Sequence, residues 1–152
     1  LAELAERITD RSKASINPDL EWAEATSAEA FGLRDALLAY RDGAEVVSST
    51  FALGLGASTP LTRLRMAIAR GFDTETSTRA ATALLHLILG HVSHEQQRLQ
   101  YDSMGVVASN AEHAQASSSE AFEFGVALLI EGLQHRQLST DRVSDTAGER
   151  PR

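Results

Sequence analysis

The chain contains no cysteine, which removes disulfides and thiolate metal sites from consideration. It contains a single lysine, Lys13, and its 14 basic residues are outnumbered by 21 acidic ones, leaving a formal charge of −7. Binding a phosphate backbone needs clustered Lys and Arg, so these residues are not themselves a nucleic-acid surface. No apolar run approaches the roughly 18 residues that suggest a membrane span, and no secretory leader is visible; the cytoplasm is the expected compartment. There is no internal repeat and no strand-like alternation. No Ser/His/Asp or Cys/His arrangement, phosphate loop or inward carboxylate pair at i, i+3 spacing occurs, and Glu29 and Glu75 stand isolated. Nothing points to an enzyme or to a cofactor.

What remains is a chain of 152 residues, 43% hydrophobic and 23% charged, enough for one domain with its own core. Nearly every segment reads as helix. Leu1, Leu4, Ala5 and Ile8 form an apolar stripe at i, i+3, i+4 and i+7. The pattern fades at "SINPD", where Asn17 can cap a second helix with Pro18 at its first position. Trp22, Ala25, Leu33, Ala36, Leu37 and Tyr40 share one face of that helix. "LLAYRDGAEV", residues 37–46, then interrupts it. Arg41-Asp42-Gly43 breaks the helical pattern, Gly43 supplies backbone freedom for a turn, and a short helix follows over about 44–51.

"ALGLGAS" reads as a loop. Thr59-Pro60 opens a helix with the stripe Leu61, Leu64 and Ile68, ended by Gly71. The longest helix is predicted over about 74–101 behind an Asp73 cap, apolar nearly all round from Ala80 to Val92. The polar stretch "DSMGVVASNAEHAQASS" reads as a mobile loop, and Ser117 with Glu120 as a capping box. "EAFEFGVALLIEGLQHR" is the last helix, where Gly125 and Gly132 line up on one side and admit a close neighbour. The tail 139–152 reads as disordered. Two helices with more apolar faces than one such domain covers point to a second subunit. A symmetric dimer built on a four-helix bundle, two helices from each chain, would bury them. Its interface is expected at Val92, Glu95, Phe122, Val126, Leu129 and Leu133.

The break at 37–46 resembles a helix-to-helix junction of the TetR family of regulators, its tetracycline-repressor branch in particular. "LLHLILGHVSHEQQ" is similar to the long helix of that branch and "AFEFGVALLIEGL" to its final one. Trp22 falls on a tryptophan of the group, and no gap is needed between Val46 and Gly71-Phe72. The likeness covers nearly all of 1–136 and is weakest between Gln100 and Ser118, where this chain is shorter. It implies an all-α effector-binding and dimerisation domain over 1–138, with 1–14 as the helix that connects it to an N-terminal helix-turn-helix absent from this sequence. The start on Leu1 rather than Met, inside a helical pattern, fits a piece of a longer polypeptide. It further implies a homodimeric repressor whose operator DNA is released by a small molecule. Arg41, Asp42 and Gly43 would then hinge the short helix that shifts when effector binds.

Residue by residue, the resemblance argues against Mg-tetracycline as that molecule. Val47 stands where the branch has a metal-ligating histidine, and His94 where it has a supporting glutamate; Mg²⁺ demands oxygen ligands in near-octahedral array. Drug-binding asparagine, glutamine and arginine correspond to Glu29, Arg63 and Phe51, while Thr50 and His86 are kept. The expected pocket is lined by Leu33, Val47, Phe51, Leu64, Ala81 and Leu85, with Thr50, Arg63, Thr82 and His86 as polar points. It suits a flat, mainly apolar molecule, with Arg63 placed to pair with a carboxylate or phenolate on it. Two other readings compete. His91, His94 and Glu95 lie at i, i+3 and i+4, a spacing that can hold Zn²⁺ in a metal sensor; a stand-alone dimeric helical binding module is the plainer alternative.

Overall fold

Asp73 sets the start of the helix around which the others assemble. Its carboxylate accepts from the amides of Glu75 (2.9 Å) and Thr76 (3.0 Å) and from the Thr76 hydroxyl (2.7 Å), satisfying the orphan donors of a helix start. The Thr76 amide and hydroxyl hold this carboxyl below its ordinary value of 3.8. A depressed carboxylate stabilises fully above that value, and the contribution is lost as pH falls through the native pKa.

The computed structural model describes residues 2–10, 19–55, 58–105 and 111–148. Among them are six helices and no strand: α1 Ala2–Asp10, α2 Trp22–Leu38, α3 Gly43–Ala52, α4 Ser58–Ile68, α5 Thr74–Ser103 and α6 Ala111–Gly148. The all-α class is as the sequence implies. Helix α5 is central and packs on α2, α3, α4 and α6, while α1 lies against α2, α3 and α4. One hydrophobic cluster joins Ala5 and Ile8 of α1, Leu33 and Leu37 of α2, Val47 of α3, Leu64 and Ile68 of α4, Leu84, Leu85 and Ile88 of α5, and Phe122 of α6. Burying each large side chain of this set contributes about 1.5–3 kcal/mol, so the core is continuous from α1 to α6.

Several boundaries differ from the sequence expectation. Helix α2 starts at Trp22 rather than Pro18; Asp19 and Leu20 form a turn, and Arg70 Nη1 donates to the Leu20 carbonyl (2.7 Å) to hold it. The proposed Asn17 cap lies outside the described residues, as do 11–14 of the connecting helix. Leu4 of the α1 stripe is 45% exposed. Helix α6 begins at Ala111, so Ser117 and Glu120 sit inside it and make no capping box. It also continues to Gly148 through most of the segment expected to be disordered. Once the apolar turns around Phe122 and Val126 nucleate a helix, each further residue adds a hydrogen bond without a new nucleation cost, and Ala, Glu, Gln and Arg on both sides propagate it well.

Gly71 does more than end α4. Its backbone is not left-handed; a Cβ there would lie 2.6 Å from Cδ1 of Trp22. Trp22 in turn meets Phe72 edge-on, with ring centroids 4.9 Å apart. The α4–α5 turn is thus a seat for the one tryptophan of the chain. Gly71→Ala is expected to displace that ring and cost about 1–3 kcal/mol; a thermal melt followed by tryptophan fluorescence reads both effects, and an unchanged emission spectrum and midpoint would refute the contact.

Candidate functional site

A helix that stops and restarts within a few residues leaves unpaired carbonyls behind it and unpaired N–H groups ahead. At the α2–α3 junction one side chain of α5 serves both. Gln96 Nε2 donates to the carbonyls of Leu37 (3.0 Å) and Tyr40 (2.7 Å), and its Oε1 accepts from the Ala44 amide (3.3 Å). Both amide donors and the acceptor of Gln96 are engaged in a place where the residue is only 7% exposed. One turn further along α5, Gln100 Nε2 donates to Asp42 Oδ1 (2.9 Å). Asp42 therefore makes no side-chain cap to α3; its carboxylate is turned to α5 instead. Gly43 is required by proximity rather than by a left-handed turn, since a Cβ would lie 2.3 Å from the Leu37 carbonyl oxygen. The break at Arg41-Asp42-Gly43 is thus held to α5 through Asp42 and through the flanking Leu37, Tyr40 and Ala44.

The neighbouring residue of α5 looks another way. Glu95, 2% exposed, accepts from Arg34 Nη2 at 3.0 Å on each carboxylate oxygen and also from Gln115 Nε2 of α6. The Arg34 guanidinium lies 5.3 Å from the Phe122 ring centroid, and Phe31 meets Phe122 edge-on. His91 Nε2 is 2.9 Å from the Ser118 carbonyl; a carbonyl only accepts, so that nitrogen carries the proton. These contacts bear on two expectations. The His91/His94/Glu95 zinc reading loses two ligands, one to Ser118 and one to Arg34, and no group of three metal-binding side chains occurs among the described residues. Glu95, Val92, Phe122, Val126 and Leu133, expected at a dimer face, are already buried within the single chain, and Leu129 is half-buried. Among the described residues, the large exposed apolar side chains of α6 are Phe124 (65%), Leu128 (53%) and Leu138 (58%).

The predicted pocket residues fall on α2, α3, α4 and α5. Leu33, Val47, Leu64, Ala81 and Leu85 are buried together in the core cluster. Thr50 is fully buried and its hydroxyl donates to the Val46 carbonyl (2.6 Å); Thr82 donates to Thr78 (2.9 Å). Both oxygens keep acceptor capacity for a ligand. Phe51 is half-buried beside His86, ring centroids 6.2 Å apart. His86 is exposed and borders a 490 Å³ groove between α3 and α5, with Ser48, Ser49, Gly90 and Gln97 also on its walls. Arg63 is not held ready for a carboxylate: its Nε and Nη2 meet Glu29 Oε2 and Oε1, both at 2.9 Å, with the side chains 11% and 10% exposed. Glu29, isolated in sequence, is paired across the helices.

Sequence reasoning did not find Gln96, Gln100, Arg34 or Gln115. The i, i+4 spacing of Gln96 and Gln100 was the available signal, but their partners lie 52 to 59 residues away. Gln96→Met keeps the volume and removes the amide, leaving the Ala44 N–H buried without its partner and the Leu37 and Tyr40 carbonyls with only their turn bonds from the Tyr40 and Gly43 amides. The expected loss is about 2–4 kcal/mol of stability, with faster hydrogen exchange at the Ala44 amide; protection unchanged from wild type would sink the clamp.

The comparisons with known proteins bear on this arrangement. The family described as "Tetracyclin repressor-like, C-terminal domain" matches residues 16–137. The chain is 28% identical over 141 residues to the tetracycline repressor protein class C of Escherichia coli, covering 82% of this chain and 64% of that protein; it thus spans less than two thirds of that relative's length. Among solved structures, Mycobacterium smegmatis BioQ is similar with a TM-score of 0.73 and 32% identity, over 87% of this chain and 70% of that one. BioQ with its natural double-stranded DNA operator gives 0.69 and 29%, over 87% and 69%. A possible TetR family transcriptional regulator from Streptomyces coelicolor A3(2) gives 0.63 and 28%, over 88% and 74%. With the match running from before α2 into α6 across the clamped junction, the chain belongs to the TetR family, as a tetracycline-repressor-like C-terminal domain.

Proposed function

We propose that this chain is the small-molecule-sensing and homodimerising part of a cytoplasmic, ligand-responsive repressor, which releases operator DNA when effector binds. The carrying observation is the position of α3. It packs on α1 at one side and on α5 at the other, and its N-terminus hangs from Gln96. A ligand among α2, α3, α4 and α5 that draws α3 away from its clamped position pushes on α1, the helix that leads toward an N-terminal DNA-binding domain. The complex of BioQ with its operator supports the DNA partner by likeness.

The energetic demand is modest. Shifting a two-state equilibrium from 1:99 to 99:1 takes about 5.5 kcal/mol of differential affinity, comparable to the cost of unpairing the groups that Gln96 and Gln100 satisfy. An effector that selects the displaced α3 therefore competes with a few hydrogen bonds rather than with the core. Val47 is an alkyl side chain 1% exposed and has no lone pair for a metal, which supports a mainly apolar effector other than Mg-tetracycline. For the second subunit, the support is the exposed pair Phe124 and Leu128 at i, i+4 on α6, with exposed Gly90 and His94 on α5. A bundle of α5 and α6 from two chains covers these positions.

Three measurements on the full-length polypeptide test the reading. Operator binding by fluorescence anisotropy is expected to fall as effector is added, and Phe51→Ala to raise the effector concentration required by roughly tenfold, the loss of about 1.4 kcal/mol of contact, without changing the mass in solution. A DNA complex indifferent to every ligand that binds the protein would overturn the sensing role. Leu128→Asp is expected to yield monomer by sedimentation equilibrium; a wild-type protein that is already monomeric when operator-bound would overturn the dimer.

A further inference from the structure

The Glu29–Arg63 pair carries a consequence for what the site accepts. Both groups sit on core-facing turns, Glu29 beside Ala30 and one turn before Leu33 on α2, Arg63 beside Leu64 on α4; Ala30, Leu33 and Leu64 are at most 2% exposed. The pair itself keeps about a tenth of its side-chain surface, 11% for Arg63 and 10% for Glu29, so it is a partly open polar spot beside buried apolar neighbours. The fork of two 2.9 Å contacts neutralises each charge with the other. Opposite charges in a poorly hydrated setting are tolerated only while they remain paired.

From this we infer that Glu29 is a specificity-determining residue that restricts the effector to uncharged molecules. The inference rests on the effector-site reading above. An anion approaching Arg63 meets a guanidinium already compensated and a carboxylate that repels it. A cation approaching Glu29 meets the reverse. A neutral molecule with a hydroxyl, amide or ketone loses nothing to either charge. Its hydroxyl or amide N–H donates to the carboxylate, because the fork occupies only part of the acceptor capacity of Glu29.

Two probes with one ring system separate the cases: N-phenyl-1-naphthylamine is neutral, and 1-anilinonaphthalene-8-sulfonate carries a sulfonate on the same scaffold. Each is titrated by fluorescence into the full-length wild type, Glu29→Gln and the double variant Glu29→Gln/Arg63→Gln, all checked for folding by circular dichroism. Glu29→Gln leaves the Arg63 charge uncompensated. It is expected to raise the preference for the sulfonate over the neutral probe by roughly tenfold or more, the worth of a hydrogen bond to a charged group. The double variant, neutral at both positions, is expected to return to the wild-type preference. If Glu29→Gln does not fold, Arg63→Gln reads the same effect with opposite sign, a tenfold loss of sulfonate affinity at constant neutral-probe affinity. Both probes binding with a preference indifferent to position 29 overturns the charge selection and leaves the sensing role standing. Failure of both probes to bind any folded form overturns the effector site itself, and the selection with it.

Discussion

One amide, that of Gln96, makes the broken course of α2 and α3 affordable. A helix end buried against another helix exposes backbone groups to a setting with no water to satisfy them, and the Arg41-Asp42-Gly43 break produces two such ends at once. A carboxylate in the same place would serve the Ala44 amide but repel the carbonyls of Leu37 and Tyr40; an ammonium would do the converse. Only a side chain with donors and an acceptor on one planar group answers both, and it does so without burying net charge. Because Gln96 belongs to α5, the longest helix of the core, the position of α3 is set from outside its own segment.

Glu95 extends this arrangement to the opposite flank. It binds Arg34 of α2 and Gln115 of α6, while the next residue binds the junction. The turn of α5 that holds the junction therefore also holds the beginning of α6, the helix that carries exposed Phe124 and Leu128. A rotation or slide of α5 relative to α2 strains both sets of contacts together. Packed interiors of this kind move between discrete arrangements rather than deforming continuously, which suits a regulator that must be in one state or the other.

The helical class, the Asp73 cap, the core stripe of α2 and the existence of the junction were legible in the sequence because each is written in neighbouring residues. Residue 43 was legible as a glycine position but for another reason than the one found: the constraint is the Leu37 carbonyl close to its Cα, which no local pattern reveals. The start and end of α6 were obscured because serine-rich composition resembles a loop, whereas propagation from an apolar centre carries the helix through it. Arg63 was read as open to an acid on the ligand, whereas its fork is filled by Glu29, which lies 34 residues away. Of the six positions expected at a dimer face, Val92, Phe122, Val126, Leu129 and Leu133 are apolar and pack on the chain's own core, and Glu95 is held by Arg34; Phe124 and Leu128 stay exposed. Helix faces were readable, but which element each face meets was not.

The Arg34–Glu95 contact constrains the descent of this chain as well as its folding. Replacing either residue alone leaves its partner's charge buried and uncompensated, at a cost of about 3–5 kcal/mol for a buried pair, a large share of the roughly 5–15 kcal/mol that holds a domain of this kind together. Replacing both by well-packed apolar residues is close to neutral. The two positions are thus separated by a fitness valley that single substitutions cross with difficulty, and lineages descending from this sequence will hold the pair or lose it as a unit, with Gln115 released to vary wherever the glutamate has gone.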